Sequence, residues 1–237
     1  MSITSKETTH NTQRYSSTMH LQDQIDSLRQ EILRKLPKPM VQTIQQAIDE
    51  LIASGIDQGA ARKGDIAPEF QLPNAVGKAV GLSEMLNHGP VVLSFYRGEW
   101  CPYCNLELHA LQQVLPEIKA LGATLIAISP QSPDRSLTTV EKHQLAFEVL
   151  SDNGNRVARS YGLAYRLPDS IKPVLEELDI DLTAYNRDNP FELPMPATYV
   201  VDRTRRVRAA FVHADYTKRT EPEDILHALH EMLSDPA

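Results

Sequence analysis

Phe95-Tyr-Arg-Gly-Glu-Trp-Cys101-Pro-Tyr-Cys104-Asn-Leu-Glu-Leu108 holds the only two cysteines of a 237-residue chain, spaced as Cys-x-x-Cys. The apolar run Val91 to Tyr96 leads into it, and a helix-patterned segment, Leu106 to Leu121, leads out. That pattern predicts a buried strand, a short loop and a dithiol at a helix N-terminus. Unpaired backbone N–H groups and the positive end of the helix dipole favour thiolate over thiol there. The thiolate is the nucleophilic form of cysteine. Two thiols separated by two residues also close into a disulfide without large rearrangement, so the stretch reads as a redox dithiol. A structural zinc site takes four protein ligands and a catalytic one three. Only His109 stands close behind the two cysteines, so no metal is expected. A purely structural disulfide would close too small a loop to constrain the unfolded chain.

Composition sets the class. Hydrophobic residues make up 41% and charged residues 23%, ordinary for a globular protein. A net charge of -7 argues against nucleic acid or an anionic membrane surface as partner. No segment reaches the apolar length of a membrane span, and residues 1–20 are polar, without the hydrophobic region of a signal peptide. A cytoplasmic protein with reduced thiols is the expectation, and nothing in the pattern calls for a cofactor.

Two parts are expected. Residues 1–60 comprise a disordered tail (to about residue 19) and a helical hairpin. Its first helix carries Leu21, Ile25, Leu28, Ile32 and Leu36 at helical spacing; its second buries Val41, Ile44, Ile48, Leu51 and Ile52. The hairpin packs on the main domain, or mediates a homodimer. Residues 61–237 form the main domain, with short elements first and then strand, dithiol helix and the strand Thr124–Ser129. Pro116 should kink that helix. Further on come a helix from Ser132, a strand at Phe147–Leu150, and a helix capped by Asp152 or Asn153. An irregular insertion at about 163–194 has the length of a lid or binding loop. The hairpin Ala197–His213 and a last helix, opened by a Thr220/Glu223 capping box, close the domain. Ser83 is the expected cap of a short helix at Met85. The order β-α-β-α-β-α, insertion, β-β-α is an α/β, thioredoxin-like arrangement: a mixed sheet flanked by helices.

Residues 64–232 resemble the alkyl hydroperoxide reductase/thiol-specific antioxidant branch of the thioredoxin superfamily, the peroxiredoxins. Gly64-Asp-Ile-Ala-Pro-Glu-Phe70 matches the family's opening. Its Phe-Tyr-Pro-x-x-x-Thr-x-x-Cys pattern starts at Phe95-Tyr96 and puts the peroxidatic position at Cys104, with Glu107 at the family's glutamate. Cys101 stands in place of the family's threonine and Arg97 in place of its proline. The arginine expected before Ala197-Thr-Tyr is replaced by Pro196, which leaves Arg97 as the candidate substitute cation. Trp100-Cys-x-x-Cys is similar to thioredoxin, Cys-Pro-Tyr-Cys to glutaredoxin, and Met195-Pro196 to the cis-proline that faces the dithiol in both. Asp215-Tyr-Thr-Lys-Arg219 resembles a Cys-x-x-Cys subgroup of the peroxiredoxins.

The resemblance implies a thiol peroxidase. In it Cys104 attacks a hydroperoxide, Cys101 resolves the sulfenic acid, and thioredoxin, glutaredoxin or glutathione reduces the disulfide. Trp100, Met195 and Pro196 would line the substrate site. The alternatives are a thiol–disulfide oxidoreductase with Cys101 as nucleophile, and a non-catalytic redox sensor or binding module. Glu99 and Glu107 are read as solvated helix residues.

Overall fold

The computed structural model describes residues 20–234; the disorder expected for residues 1–19 lies outside them. In chain order the helices are α1 (Leu21–Lys35), α2 (Lys38–Ala53), α3 (Leu82–Leu86), α4 (Pro102–Ala120), α5 (Pro133–His143), α6 (Arg156–Ser160), α7 (Lys172–Glu177), α8 (Leu182–Tyr185) and α9 (Pro222–Ser234). The strands are β1 (Gln71–Pro73), β2 (Ala79–Gly81), β3 (Val91–Phe95), β4 (Thr124–Ser129), β5 (Glu148–Ser151), β6 (Ala164–Arg166), β7 (Glu192–Pro194), β8 (Ala197–Val201) and β9 (Val207–Val212).

The main sheet runs β5-β4-β3-β8-β9. Strands β3, β4 and β5 pair in parallel. β8 then runs antiparallel to both β3 and β9. β3 and β8 are buried along their whole length, as their largely apolar sequences require. The parallel half followed by an antiparallel hairpin is the expected mixed sheet. Because β3 is central, the loop after it delivers the dithiol to the sheet's C-terminal edge, at the start of α4.

Several local expectations change. α4 runs through Pro116 as one helix, with the proline on the exposed side. Gly81, not Ser83, precedes α3, and the Ser83 hydroxyl donates to Glu69 instead. Pro222 sets the first position of α9, which puts the Thr220/Glu223 box out of register. Asp152 does act as a cap, accepting from the N–H groups of Val157 and Ala158. The insertion at 163–194 is tied down by a β6–β7 ladder.

The N-terminal helices differ most from the sequence reading. They do not pack chiefly on each other as a hairpin: α1 lies against α4, and α2 against the turn at Asp169–Ile171. Leu21, Ile25 and Leu28 share one buried cluster with Tyr96, Cys101, Tyr103 and Cys104. Burial of such side chains stabilises by roughly 1.5–3 kcal/mol each. On α2 only Ile48 is fully buried; Ile44, Ala47 and Leu51 pack against the main core, and Ile52 is exposed. His20, at the N-cap of α1, gives it no side-chain cap. The Glu221 carboxylate accepts from Leu21 N (2.8 Å) and Gln22 N (2.8 Å) instead, closing the open end of α1 with a residue just ahead of α9.

Candidate active site

Cys101 is the N-cap of α4, and Cys104 lies in its first turn. The loop between β3 and α4 is shaped by Gly98. Its φ of +139° favours glycine, and a Cβ there would fall 2.6 Å from Trp100 Nε1 and 2.7 Å from Gln131 Oε1. The Glu99 N–H donates to Gln131, the Glu99 carbonyl accepts from Asn105 Nδ2 at 2.8 Å, and its carboxylate pairs with Lys142 at 2.7 Å. Glu99 is therefore a buried, paired residue that fixes the loop, not a solvated one.

Each sulfur has its own arginine. Arg97 Nη1 donates to Cys101 Sγ at 3.8 Å, and its guanidinium lies between Tyr216 (4.0 Å to the ring centroid) and Trp100 (4.8 Å). Stacking on two rings holds the cation without a carboxylate partner among the described residues. Arg219 Nη2 donates to Cys104 Sγ at 3.4 Å, while its Nε donates to Glu107 Oε2 at 2.8 Å. Its Nη1 donates to the carbonyls of Tyr216 and Lys218. The Arg219–Glu107 pair is almost fully buried, with side-chain exposures of 1% and 4%. Glu107 is thus the second carboxylate to leave the solvated class.

The two thiols are set apart electrically. Burial acts to raise the Cys101 thiol, but the hydrogen bond from Cys104 and the charges of Arg97 and Arg219 outweigh it and bring it down to about 5. At 3.8 Å and an effective dielectric of roughly 20, one such charge pair is worth about 4 kcal/mol. Burial pushes the Cys104 thiol up, and the neighbouring Cys101 thiolate pushes it further, against Arg219. Two adjacent sulfurs do not both ionise, so the pair holds one negative charge, and it rests on Cys101. Burial also takes the Glu107 carboxyl up to about 7 against the pull of Arg219.

Of the residues named from sequence, Trp100 joins Cys101 and Cys104 as a wall of the site. Met195 does not: it is fully buried in the main core cluster with Phe95, Tyr161 and Tyr199, which holds neither cysteine. Among the described residues every peptide bond is trans, so Met195-Pro196 lacks the geometry of the thioredoxin cis-proline. Pro196 instead lies beside Glu107 and Arg219. Arg97 turns toward the dithiol, as a substitute cation must. Arg219 was visible only as part of a recognisable segment, whereas Glu107 was marked both by the family's glutamate and by its place one turn beyond Cys104 on α4.

A cleft of about 450 Å³ opens between α2 and the 163–171 part of the insertion and reaches Arg97, the neighbour of Cys101 Sγ. Arg97, Tyr165 and Tyr216 lie at its buried end, and Glu50, Ser54 and Arg166 are at its exposed rim.

Residues 63–210 match the AhpC/TSA family. The chain is 35% identical over 102 residues to a putative peroxiredoxin bcp of Buchnera aphidicola subsp. Schizaphis graminum, covering 43% of this chain and 64% of that protein. It is 34% identical over 111 residues to a chloroplastic peroxiredoxin Q of Triticum aestivum, covering 47% and 51% respectively. The chain thus spans about half to just under two thirds of the length of these relatives. Among solved structures it is similar to the peroxidoxin BcpB of Mycobacterium tuberculosis, with a TM-score of 0.57 at 23% identity, covering 72% of this chain and 97% of that one. These likenesses establish the thioredoxin-like fold seen in peroxiredoxin structures. With well over half of its residues inside the match, the chain belongs to the AhpC/TSA family.

Proposed function

We propose that the chain is a thiol-dependent peroxidase that reduces hydroperoxides through its Cys101/Cys104 dithiol. The observation that carries this reading is the pairing of one buried arginine with each sulfur, at 3.8 Å and 3.4 Å. The Cys101 thiolate attacks the distal peroxide oxygen; the O–O bond breaks, Cys101 becomes a sulfenic acid, and the other oxygen leaves as alkoxide and takes a proton from solvent. Arg97 faces the charge that develops on that oxygen. Cys104 then attacks the sulfenic sulfur, water is released, and the Cys101–Cys104 disulfide forms. Thioredoxin, glutaredoxin or glutathione supplies the two electrons that restore the dithiol, in the reducing cytoplasm. Family alignment favours Cys104 as the attacking sulfur; electrostatics favour Cys101, and we adopt that order.

The second reading, thiol–disulfide exchange, draws on the same low Cys101 thiol. Burial argues against it. Cys101 is 1% exposed and Cys104 0%, beneath α1, so the slender –OOH end of a peroxide reaches the reduced dithiol more readily than a protein disulfide. The deciding experiment oxidises the reduced wild type, Cys101→Ser and Cys104→Ser with peroxide and reads intact mass with a sulfenate trap. Rapid trapping on Cys101 in Cys104→Ser is the expected result. Rapid trapping on Cys104 in Cys101→Ser reverses the order of attack, and sluggish oxidation of every form supports disulfide exchange.

A further inference from the structure

We propose that α2, which precedes the family-matched residues 63–210, is the substrate-selecting wall of the peroxide site. This rests on the peroxidase reading. Ala47 and Leu51 form one side of the cleft, and Leu167, Pro168 and Ile171 of the insertion form the other. Its buried end is Arg97, which is 5% exposed and touches both the cleft and Cys101 Sγ. Among the described residues Arg97 Nε has no hydrogen-bond partner. A cleft with apolar sides and one buried, incompletely paired cation at its end fits a ligand with an apolar body and one small polar head. The cleft is far larger than hydrogen peroxide requires. At about 30 Å³ per water, 450 Å³ corresponds to about fifteen waters, against the two oxygens of that peroxide. The occupant is a bulky organic hydroperoxide, with its O–O group at Arg97 and Cys101 and its hydrocarbon body between α2 and the insertion. The alcohol product leaves by the same cleft.

Trp100 is the chain's only tryptophan and stacks on Arg97, so its fluorescence reports events at the buried end. The test compares stopped-flow oxidation by cumene hydroperoxide and by hydrogen peroxide in wild type, Ala47→Phe and Leu51→Phe. Filling the cleft from α2 should slow the cumene hydroperoxide reaction by roughly tenfold or more while leaving hydrogen peroxide within about twofold. Equal slowing of both peroxides, or no change in either, overturns the proposal. Two positions are used so that one misfolded variant does not decide the matter. A parallel titration with cumyl alcohol, read by Trp100 fluorescence, needs no turnover. Saturable binding to wild type that is lost in both variants supports the cleft even if no peroxide reacts; that combination would refute the peroxidase reading alone. Absence of alcohol binding to wild type counts against the cleft.

Discussion

The two halves of the dithiol are three residues apart and differ in what shares their arginine. Arg97 comes from the loop that carries Cys101, is held by aromatic faces, and has the Cys101 sulfur as its counter-charge. Arg219 comes from the far end of the chain and divides its charge between Cys104 and the Glu107 carboxylate. Above the Glu107 midpoint, that carboxylate offsets the cation and leaves Cys104 a thiol. The contrast shows that a cation near a sulfur does not by itself make a thiolate; what else neutralises the cation decides it. In the proposed mechanism one sulfur attacks, and the other holds its proton until a sulfenic acid is beside it.

This asymmetry can be broken most strongly at Cys101 itself. Cys101→Ser should lose peroxide reduction by about a hundredfold or more, the scale of losing a nucleophile, whereas Cys104→Ser should retain the first oxidation and lose turnover. Steady-state peroxide consumption alongside single-turnover oxidation separates the two outcomes.

Removing the cation from the reactive half is next in size. Arg97→Met should raise the Cys101 midpoint from about 5 by roughly one to three pH units. Alkylation rate against pH measures this directly, and an unchanged midpoint would show that α4 and Cys104 suffice without Arg97.

In the other half, Glu107→Gln should destabilise the reduced protein by about 3–5 kcal/mol, since it strips a buried arginine of its carboxylate. It should also make Cys104 more reactive to alkylation, because Arg219 then serves one anion. Urea unfolding and site-resolved alkylation report the two effects.

The halves also oppose each other in the pH dependence of stability. Cys101 is depressed in the folded state, so it adds stability as pH rises from about 5 toward the unfolded thiol value. Glu107 is raised to about 7, so it removes stability as pH rises from the ordinary carboxylate range to 7. The reduced protein should therefore change little between pH 5 and 7 and gain stability above 7, and Cys101→Ser should abolish the gain. The smallest effect is expected from Gln22→Ala, about 1 kcal/mol, through loss of the bonds from Arg219 N and to the Thr217 carbonyl.

Much of this site was legible in the chain, for reasons of distance along it. The dithiol, its strand and its helix lie within one βαβ unit, where local periodicity and two cysteines suffice. Arg219 lies 115 residues from Cys104, in a polar stretch whose direction only the tertiary fold sets. Glu107 was picked out by the family's glutamate, and its burial could have been read too: Cys104, Leu108, Leu111 and Leu115 mark the buried face of α4, and position 107 falls on it. Charge type suggested solvent, and burial with a partner overruled it. For α2, spacing gave a helix and a face, but Ile52 on the expected face is exposed, because the helix packs on the insertion rather than on α1.

The bonds from Leu21 and Gln22 to Glu221 have a biosynthetic consequence. The carboxylate that closes α1 is made 200 residues after the helix it serves, roughly 10–40 s later at ordinary rates of translation. Gln22 also accepts from the N–H of Arg219, so the first and last parts of the fold settle together. A nascent chain carries both cysteines and Arg97 long before it carries the cation for Cys104. The cation that faces Cys104 thus arrives 115 residues after the dithiol itself.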